Sequence, residues 1–574
     1  MTTIRVLVLI TLGITLFLTY ELRAEFNLQK IKLHSDWNAV FLEVEPEASD
    51  PEKVFSGIPN LQSVWMWNAL SGKVQNVPDP NTLRPDDRHW LVYFPQDPAK
   101  TTLHAIHGET AYLLNIGGNA SITWEVQGTP KMPRIDWVPN SFNLVGFHIN
   151  PDQEPIFETF FAGVPAHAGQ DLYQLNRTDG TWEKITNPEA TTIKHGEAYW
   201  VFSNGHSHFT GPLSIHLEQG TGLQFGKDSV EQDVRLVNSV GKGEPAITVG
   251  LSPSRNTVNL YFWEVGSQTY EGHWTRFPTE KALPFTIPAT PPEKDDVSPH
   301  NERVLRLGVR RADTQGTPLT PGQVYEETLV ITDDRGSRIV VPVSVEGVDF
   351  SGLWVGQAAI EKVSHVNNTH ANGNYDSTPV PVGSPFSFRV IIHVDQETGQ
   401  ARLLREVVQV WKGKQLVLYA DPTALASPDY RDLPLQGDNP VGRRISTVAF
   451  GFQEPQLLSG TFHPGQVLQS TPIKLAPQDP MNPFRHQFHK DHQDFEKPVM
   501  EKTFEITRTV TLQFDGLDAV DPTQRLADVL SWGSTEVGGS YSETIEGLHR
   551  EKLNISGSFI LRKVSSIGTL EATP

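Results

Sequence analysis

Apolar and polar residues alternate with a period of two along most of this chain, and runs with the 3.6 period of a helix are scarce. Phe386, Phe388, Val390, Ile392 and Val394 occupy every second position. Thr503 to Phe514 alternates likewise, and Leu305, Leu307 and Val309 alternate with Arg306, Gly308 and Arg310. Glu327 to Ile331 and Arg338 to Val345 flank the polar run Thr332-Asp333-Asp334-Arg335-Gly336, which predicts a hairpin. The pattern predicts a mainly β protein of several antiparallel sandwich or barrel modules in tandem, with few short helices. One helical turn is expected at 51–57, where Pro51 follows Asp50. The proline- and acid-rich stretch Pro278 to Ser298 reads as an exposed loop.

The chain repeats itself. His107-Gly108-Glu109-Thr110-Ala111-Tyr112 returns as His195-Gly196-Glu197-Ala198-Tyr199, one residue shorter. Upstream, Trp37-Asn38-Ala39-Val40 answers Phe142-Asn143-Leu144-Val145, and Phe55-Ser56-Gly57-Ile58-Pro59 answers Phe161-Ala162-Gly163-Val164-Pro165. Such self-similarity marks modular assembly. It divides the chain into β-rich repeat modules at 25–128 and 129–216, a third module at 217–349 and a C-terminal module at 350–574. The first copy carries an insertion near Pro78–Lys100 that reads as a loop.

Residues 1–24 have the form of a secretory signal peptide: Arg5, an apolar run from Val6 to Tyr20, and Ala24 as a small residue at a cleavage point. The apolar run is shorter than the ~20 residues of a spanning helix. The expected location is the periplasm, cell surface or medium, with no membrane span after cleavage. The sequence holds no cysteine, which excludes disulfides and thiolate ligands. Its formal net charge of -20 opposes binding to nucleic acid or anionic membranes.

Three resemblances rest on particular residues. Tyr325-x-x-x-Leu329-x-Ile331-x-Asp333 followed by Val341-Pro342-Val343-Ser344-Val345 resembles the immunoglobulin-like domains of bacterial surface proteins, which implies a sandwich over the third module. Gly352-x-Trp354 resembles the first-strand signature of lipocalins. That resemblance implies a barrel with Trp354 closing its floor against Arg562 of the last strand, and an interior able to hold a small apolar ligand. As a whole the chain resembles uncharacterised bacterial exported multidomain β-proteins, which implies no assigned activity.

Candidate chemistry concentrates at Asn482-Pro483-Phe484-Arg485-His486-Gln487-Phe488-His489-Lys490-Asp491-His492-Gln493-Asp494. Imidazole and carboxylate are the usual ligands of a divalent metal once thiolates are excluded. His486, His489 and His492 are the expected ligands, with Asp491 and Asp494 as a fourth ligand or support. The run lacks the His-Glu-x-x-His spacing of zinc proteases. The repeated His-Gly-Glu reads as a turn before a strand, with Gly108 and Gly196 at positive φ. Trp65, Trp67, Trp90, Trp124, Trp137, Trp182 and Trp200 sit in apolar strand patterns that favour core packing over sugar platforms. The sequence thus favours an exported, non-enzymatic surface or secreted binding or scaffold protein. Its partner would be an extracellular or periplasmic protein, a carbohydrate or a small ligand. A metal-assisted hydrolase at 486–494 is the first alternative, and a barrel-type carrier of a small apolar ligand the second.

Overall fold

The alternating segments form strands. The computed structural model describes residues 27–69, 76–83, 88–119, 121–240, 246–251, 258–265, 272–277, 283–286, 301–312, 318–364, 375–412, 414–426, 435–436, 439–440, 442–452, 454–477, 479, 482, 505–515, 529–548 and 551–571. It divides into two compact units. The first holds the chain up to Phe147 together with Gln170–Thr186 and Lys194–Ser207. The second holds His148–Gly169, Asn187–Ile193 and everything from His208 onward.

The first unit contains β1 (Asn27–Leu33), β2 (Asp36–Leu42), β3 (Val44–Pro46), helical turn α1 (Pro51–Val54), β4 (Leu61–Trp67), β5 (Trp90–Tyr93), β6 (Thr110–Ile116), β7 (Ile122–Pro130), β8 (Ser141–Gly146), β9 (Leu172–Leu175), β10 (Trp182–Lys184) and β11 (Ala198–Ser203). The Asp50 carboxylate accepts from the Glu52 N–H and Pro51 fills the first helical position, so α1 begins where the sequence predicts. Two four-stranded sheets share one strand order, β2-β6-β4-β5 and β8-β11-β9-β10, and a third sheet runs β1-β7-β3.

Equivalent residues do equivalent work in the two four-stranded sheets. The Asn38 side chain accepts from the His34 N–H and donates to the His34 carbonyl, tying off the approach to β2. Asn143 does the same with the N–H and carbonyl of Val138 ahead of β8. The Tyr112 hydroxyl accepts from the N–H of His107, five residues back (2.8 Å), and the Tyr199 hydroxyl accepts from Lys194, also five back (3.0 Å). These are tyrosine corners, which pin a loop against the strand that follows it. Burial pushes the Tyr112 phenol up to about 12, so it stays protonated and donates to the His107 carbonyl. Tyr112→Phe is expected to cost about 1 kcal/mol, because it removes the hydroxyl that holds the partly buried His107 N–H, and to lower the urea midpoint of this unit.

Two expectations change here. Gly108 is not at positive φ. Counting back from each tyrosine, that conformation falls on Glu109 (φ 56°) in the first copy and on Gly196 (φ 74°) in the second. Gly108 is needed for a different reason: a Cβ there would lie 2.7 Å from the Val44 carbonyl carbon. The insertion at 78–100 is also more than a loop, because Trp90–Tyr93 forms the outer strand β5, paired with β4. Apolar pairing across the sheet outweighs the flanking Asp, Pro and Arg residues.

The second unit begins with helical turn α2 (Phe157–Phe160) and continues as a sandwich. Its strands are β12 (Leu213–Leu217), β13 (Leu223–Gln224), β14 (Glu231–Asn238), β15 (Ala246–Leu251), β16 (Asn259–Val265), β17 (Gly272–Arg276), β18 (Leu283–Thr286), β19 (Glu302–Arg310), β20 (Val324–Asp333) and β21 (Arg338–Glu346). The sheets run β12-β14-β19-β16-β17 and β13-β21-β20-β15-β18. Val234, Leu305, Leu307 and Val309 are buried in one, and Leu329, Ile331, Val341 and Val343 in the other. β20 and β21 form the predicted hairpin, with Gly336 in the left-handed region and the Asp333 carboxylate accepting from the Arg335 and Ser337 N–H groups. Arg311 is buried and donates to the carbonyls of Gly226 and Ser229 and to that of Glu346, tying the loop after β13 to the end of β21. The loop expected over 278–298 is corrected at Leu283–Thr286, which pairs with β15 as an edge strand. Proline is tolerated at such an edge.

The last module is an eight-stranded antiparallel barrel. It uses β22 (Gly352–Ser364), β23 (Pro379–Val394), β24 (Ala401–Leu404), β30 (Gln456–Gly460), β31 (Val467–Ser470), β33 (Ile506–Phe514), β34 (Glu536–Glu546) and β35 (Leu553–Ser565), and β35 returns to pair with β22. Closure removes the exposed edges that so long a sheet would otherwise carry. Between β24 and β30 lie β25 (Glu406–Lys412), β26 (Gln415–Tyr419), the two-residue strands β27 (Leu435–Gln436) and β28 (Asn439–Pro440), and β29 (Gly442–Ser446). The sheet β26-β25-β29 covers the outer side of the barrel, where Val407 and Leu418 pack on Leu353 and Ile391. The short strand β32 (Ile473–Leu475) adds to β33.

Candidate functional site

Trp354 faces the barrel interior and is fully buried, and its indole Nε1 donates to the Phe350 carbonyl (2.8 Å). The ring of Phe462 lies 4.8 Å from it, Phe514 follows at 4.9 Å from Phe462, and Phe559 at 5.2 Å from Phe514. An eight-stranded barrel is just wide enough for its own side chains, and here aromatic rings occupy the space beside Trp354. A ligand at that point would have to displace them.

Arg562 is not brought to Trp354. In the β22–β35 register Trp354 faces Lys563, while Arg562 faces Val355. Side chains alternate across a sheet, so Arg562 points outward, where its side chain is 72% exposed and donates to Glu536. Lys563 holds the inward position instead. Its ammonium donates to the Asp349 carbonyl (3.0 Å), and burial holds it below the usual lysine range while Asp349 opposes the shift.

Away from Trp354 along β33 and β34, the barrel interior carries Arg508, Glu543 and Tyr541. The Arg508 guanidinium donates to the Glu543 carboxylate and to the Ala449 carbonyl (2.5 Å), and lies 4.9 Å from the Phe450 ring centre. The other Glu543 oxygen accepts from the Tyr541 hydroxyl (2.7 Å). Burial raises the phenol of Tyr541, and the Glu543 charge adds to the shift. Sequence reading passed over this triad. Its signal was parity: Arg508 keeps step with the buried Val510, Leu512 and Phe514, and Glu543 with the buried Val537 and Tyr541.

The His-Gly-Glu copies do not assemble a catalytic pair. His107 Nδ1 meets Glu45 (2.9 Å), and Glu109 accepts from the Arg134 N–H. His195 Nδ1 lies 3.3 Å from Glu43, while Glu197 accepts from Arg177 and from the Tyr199 hydroxyl. In each copy the histidine and the glutamate reach different partners. The Glu45 carboxyl lies below its usual range; burial opposes this, and the hydrogen bonds from His107, Gly108 and Lys131 outweigh it.

His486, His489, Asp491, His492 and Asp494 lie outside the described residues. Among the described residues no group of three or more histidines and carboxylates is arranged to hold a metal. Trp65, Trp67, Trp90, Trp182 and Trp200 join Trp37 in an aromatic layer between the two four-stranded sheets, with Trp67 5.8 Å from Trp200 and Trp182 6.0 Å from it. Trp124 packs against Phe55 in the adjoining core, and Trp137 is buried.

No family model matches the chain, and no curated protein matches it. Among solved structures, it is similar to a Bacteroides ovatus protein of unknown function from structural genomics, at 9% identity over 61% of this chain and 94% of that one, with a TM-score of 0.16. It is similar to the CupB6 tip adhesin of Pseudomonas aeruginosa at 10% identity over 56% and 92%, TM-score 0.15. It is also similar to BcpA, the major pilin subunit of Bacillus cereus, at 10% identity over 67% and 94%, TM-score 0.13. TM-scores at this level do not define a shared topology, so the functional reading rests on this chain's own residues.

Proposed function

We propose that this is an exported, non-enzymatic β-scaffold that supports binding at a cell surface or in the medium. The observation that carries the reading is the join between sandwich and barrel. Leu530 is buried against Tyr261 and Trp274, and Trp532 against Ala312, so the filled barrel is seated on the sandwich by apolar contact. Arg310 adds a hydrogen bond to the Val529 carbonyl (3.5 Å). A solid barrel fixed to a sandwich in this way suits a rigid support more than a container. The export-type residues at 1–24 supply the other half of the reading.

Fractionation of cells producing the full chain tests it. The expected product is outside the cytoplasm and begins after residue 24 by N-terminal sequencing. A cytoplasmic product that retains residues 1–24 would sink the export reading. Metal analysis of the same preparation addresses the competing hydrolase: stoichiometric zinc or manganese that disappears in His489→Ala would favour the enzyme over the scaffold.

A further inference from the structure

Strand β7 has a partner along one edge and half a partner along the other. β1 pairs with it from Ile122 to Gly128, whereas β3 covers only Gly128 to Pro130. The hydrogen bonds at the end of β3 fix which way the main chain points. The Glu47 N–H donates to the Gln127 carbonyl (3.1 Å), and the Lys131 N–H donates to the Glu43 carbonyl (3.1 Å). Within a strand, the N–H and C=O of one residue point to the same edge and those of the next residue to the opposite one. Thr123, Glu125 and Gln127 therefore turn their main-chain groups away from β1, toward the side of β3. Past Glu47 the chain leaves that side for α1, and the Ser49 carbonyl accepts from the Ile106 N–H instead. Gln127 keeps its bond to Glu47, but among the described residues no strand lies beside Thr123 and Glu125.

A groove of about 430 Å³ runs along this half-edge, with Lys53, Val54 and Gly57 on its far wall. Its size falls in the ~300–1,000 Å³ range of ligand sites. The main-chain row inside it selects the occupant. Donors and acceptors repeating at strand spacing are matched by another extended main chain, the recognition mode of strand addition. The stretch from Thr123 to Gln127 spans roughly 14 Å, which a peptide of about five residues covers. Side-chain preferences follow from the two faces. Trp124 and Val126 face the core and Thr123, Glu125 and Gln127 face solvent, so the peptide should alternate apolar residues with hydroxyl or basic ones. Glu47 and Glu125 line the groove, and since Glu125 already meets Lys30 (3.0 Å), a basic peptide residue would share that carboxylate.

We infer that the half-edge of β7 beside α1 is a docking slot for an extended peptide of alternating apolar and basic or hydroxyl residues, added as a strand in line with β3. The inference does not depend on export.

Residue-resolved amide hydrogen exchange on the full protein tests it, with the capped heptapeptide Val-Lys-Val-Thr-Val-Lys-Val as probe. In the free protein the Thr123 and Glu125 amides should exchange much faster than those of Trp124 and Val126. Saturating peptide should slow them. N-methylation of the peptide on the residues that face β7 should weaken binding by about tenfold or more. Gly57→Trp should do the same, because a Cβ at Gly57 meets nothing within 4 Å and the new ring fills the groove. If that variant does not fold, Glu125→Pro removes the groove-side N–H and leaves the β1 ladder whole, and it should show the same loss. Slow exchange at Thr123 and Glu125 in the free protein would mean the edge is already covered and would overturn the slot. So would absence of binding at about 1 mM peptide, or affinity untouched by both N-methylation and the groove variants.

Discussion

Replacing Arg508 with methionine is expected to destabilise the barrel by about 3–5 kcal/mol, the usual cost of breaking a buried ion pair from one side. Glu543 is 3% exposed, so without the guanidinium its charge would stay in the interior with only the Tyr541 hydroxyl for company. The Ala449 carbonyl would lose its donor and the Phe450 ring its cation. The test is calorimetry of the full chain, reading the transition assigned to the barrel by hydrogen exchange in β33 and β34. Removing all three polar groups together, as Arg508→Met, Glu543→Leu and Tyr541→Phe, should recover most of the loss, because no buried charge is then left unpaired. Equal damage from the single and the triple variant would show that Arg508 acts through its shape rather than its charge.

Trp354→Ala should also cost about 3–5 kcal/mol, the range for emptying a large aromatic site in a close-packed core. The ring is fully buried, touches Phe350 and Phe462, and its Nε1 holds the Phe350 carbonyl at the entrance to β22. Trp354→Phe keeps much of the volume and loses the hydrogen bond, so it should fall well short of the alanine variant. Denaturant unfolding followed in parallel for the two variants separates packing from anchoring. If the two lose the same stability, the Nε1 bond dominates and the aromatic packing described above matters little.

Much of this architecture was legible from alternation alone. The β20–β21 hairpin follows from two apolar runs around Asp333 and Gly336, and β19 from the parity of Leu305, Leu307 and Val309. Of the barrel strands, β23 and β33 were legible for the same reason, since a closed sheet buries one face of its strands. Strands β5 and β18 were missed because each is a short apolar stretch inside a segment whose composition is dominated by proline and charge. Composition reports what surrounds a strand, whereas pairing is decided by the few residues within it. The position of Gly108 was misjudged because the two His-Gly-Glu copies align by sequence one residue out of step with Tyr112 and Tyr199, which set the geometry. Arg562 was read as the partner because the lipocalin resemblance calls for an arginine in the last strand, whereas the unbroken register from Trp354–Lys563 to Ile360–Gly557 puts lysine across from Trp354. Side-chain type was readable from sequence, but facing was not, because Phe559, Ile560 and Leu561 are apolar in succession and leave the parity of the strand open.

Because the barrel closes by pairing its first strand with its last, its entrance and exit lie side by side: Leu353 near the start of β22 faces Ser565 at the end of β35. Tension applied across the module would first strip the tail that follows, where Gln396 holds the Gly568 carbonyl and Glu571 holds the Leu418 carbonyl. It would then pull β22 and β35 apart from their shared end, opening one rung of the ladder after another instead of shearing the whole row at once. A barrel wired in this way yields easily when stretched through its own ends.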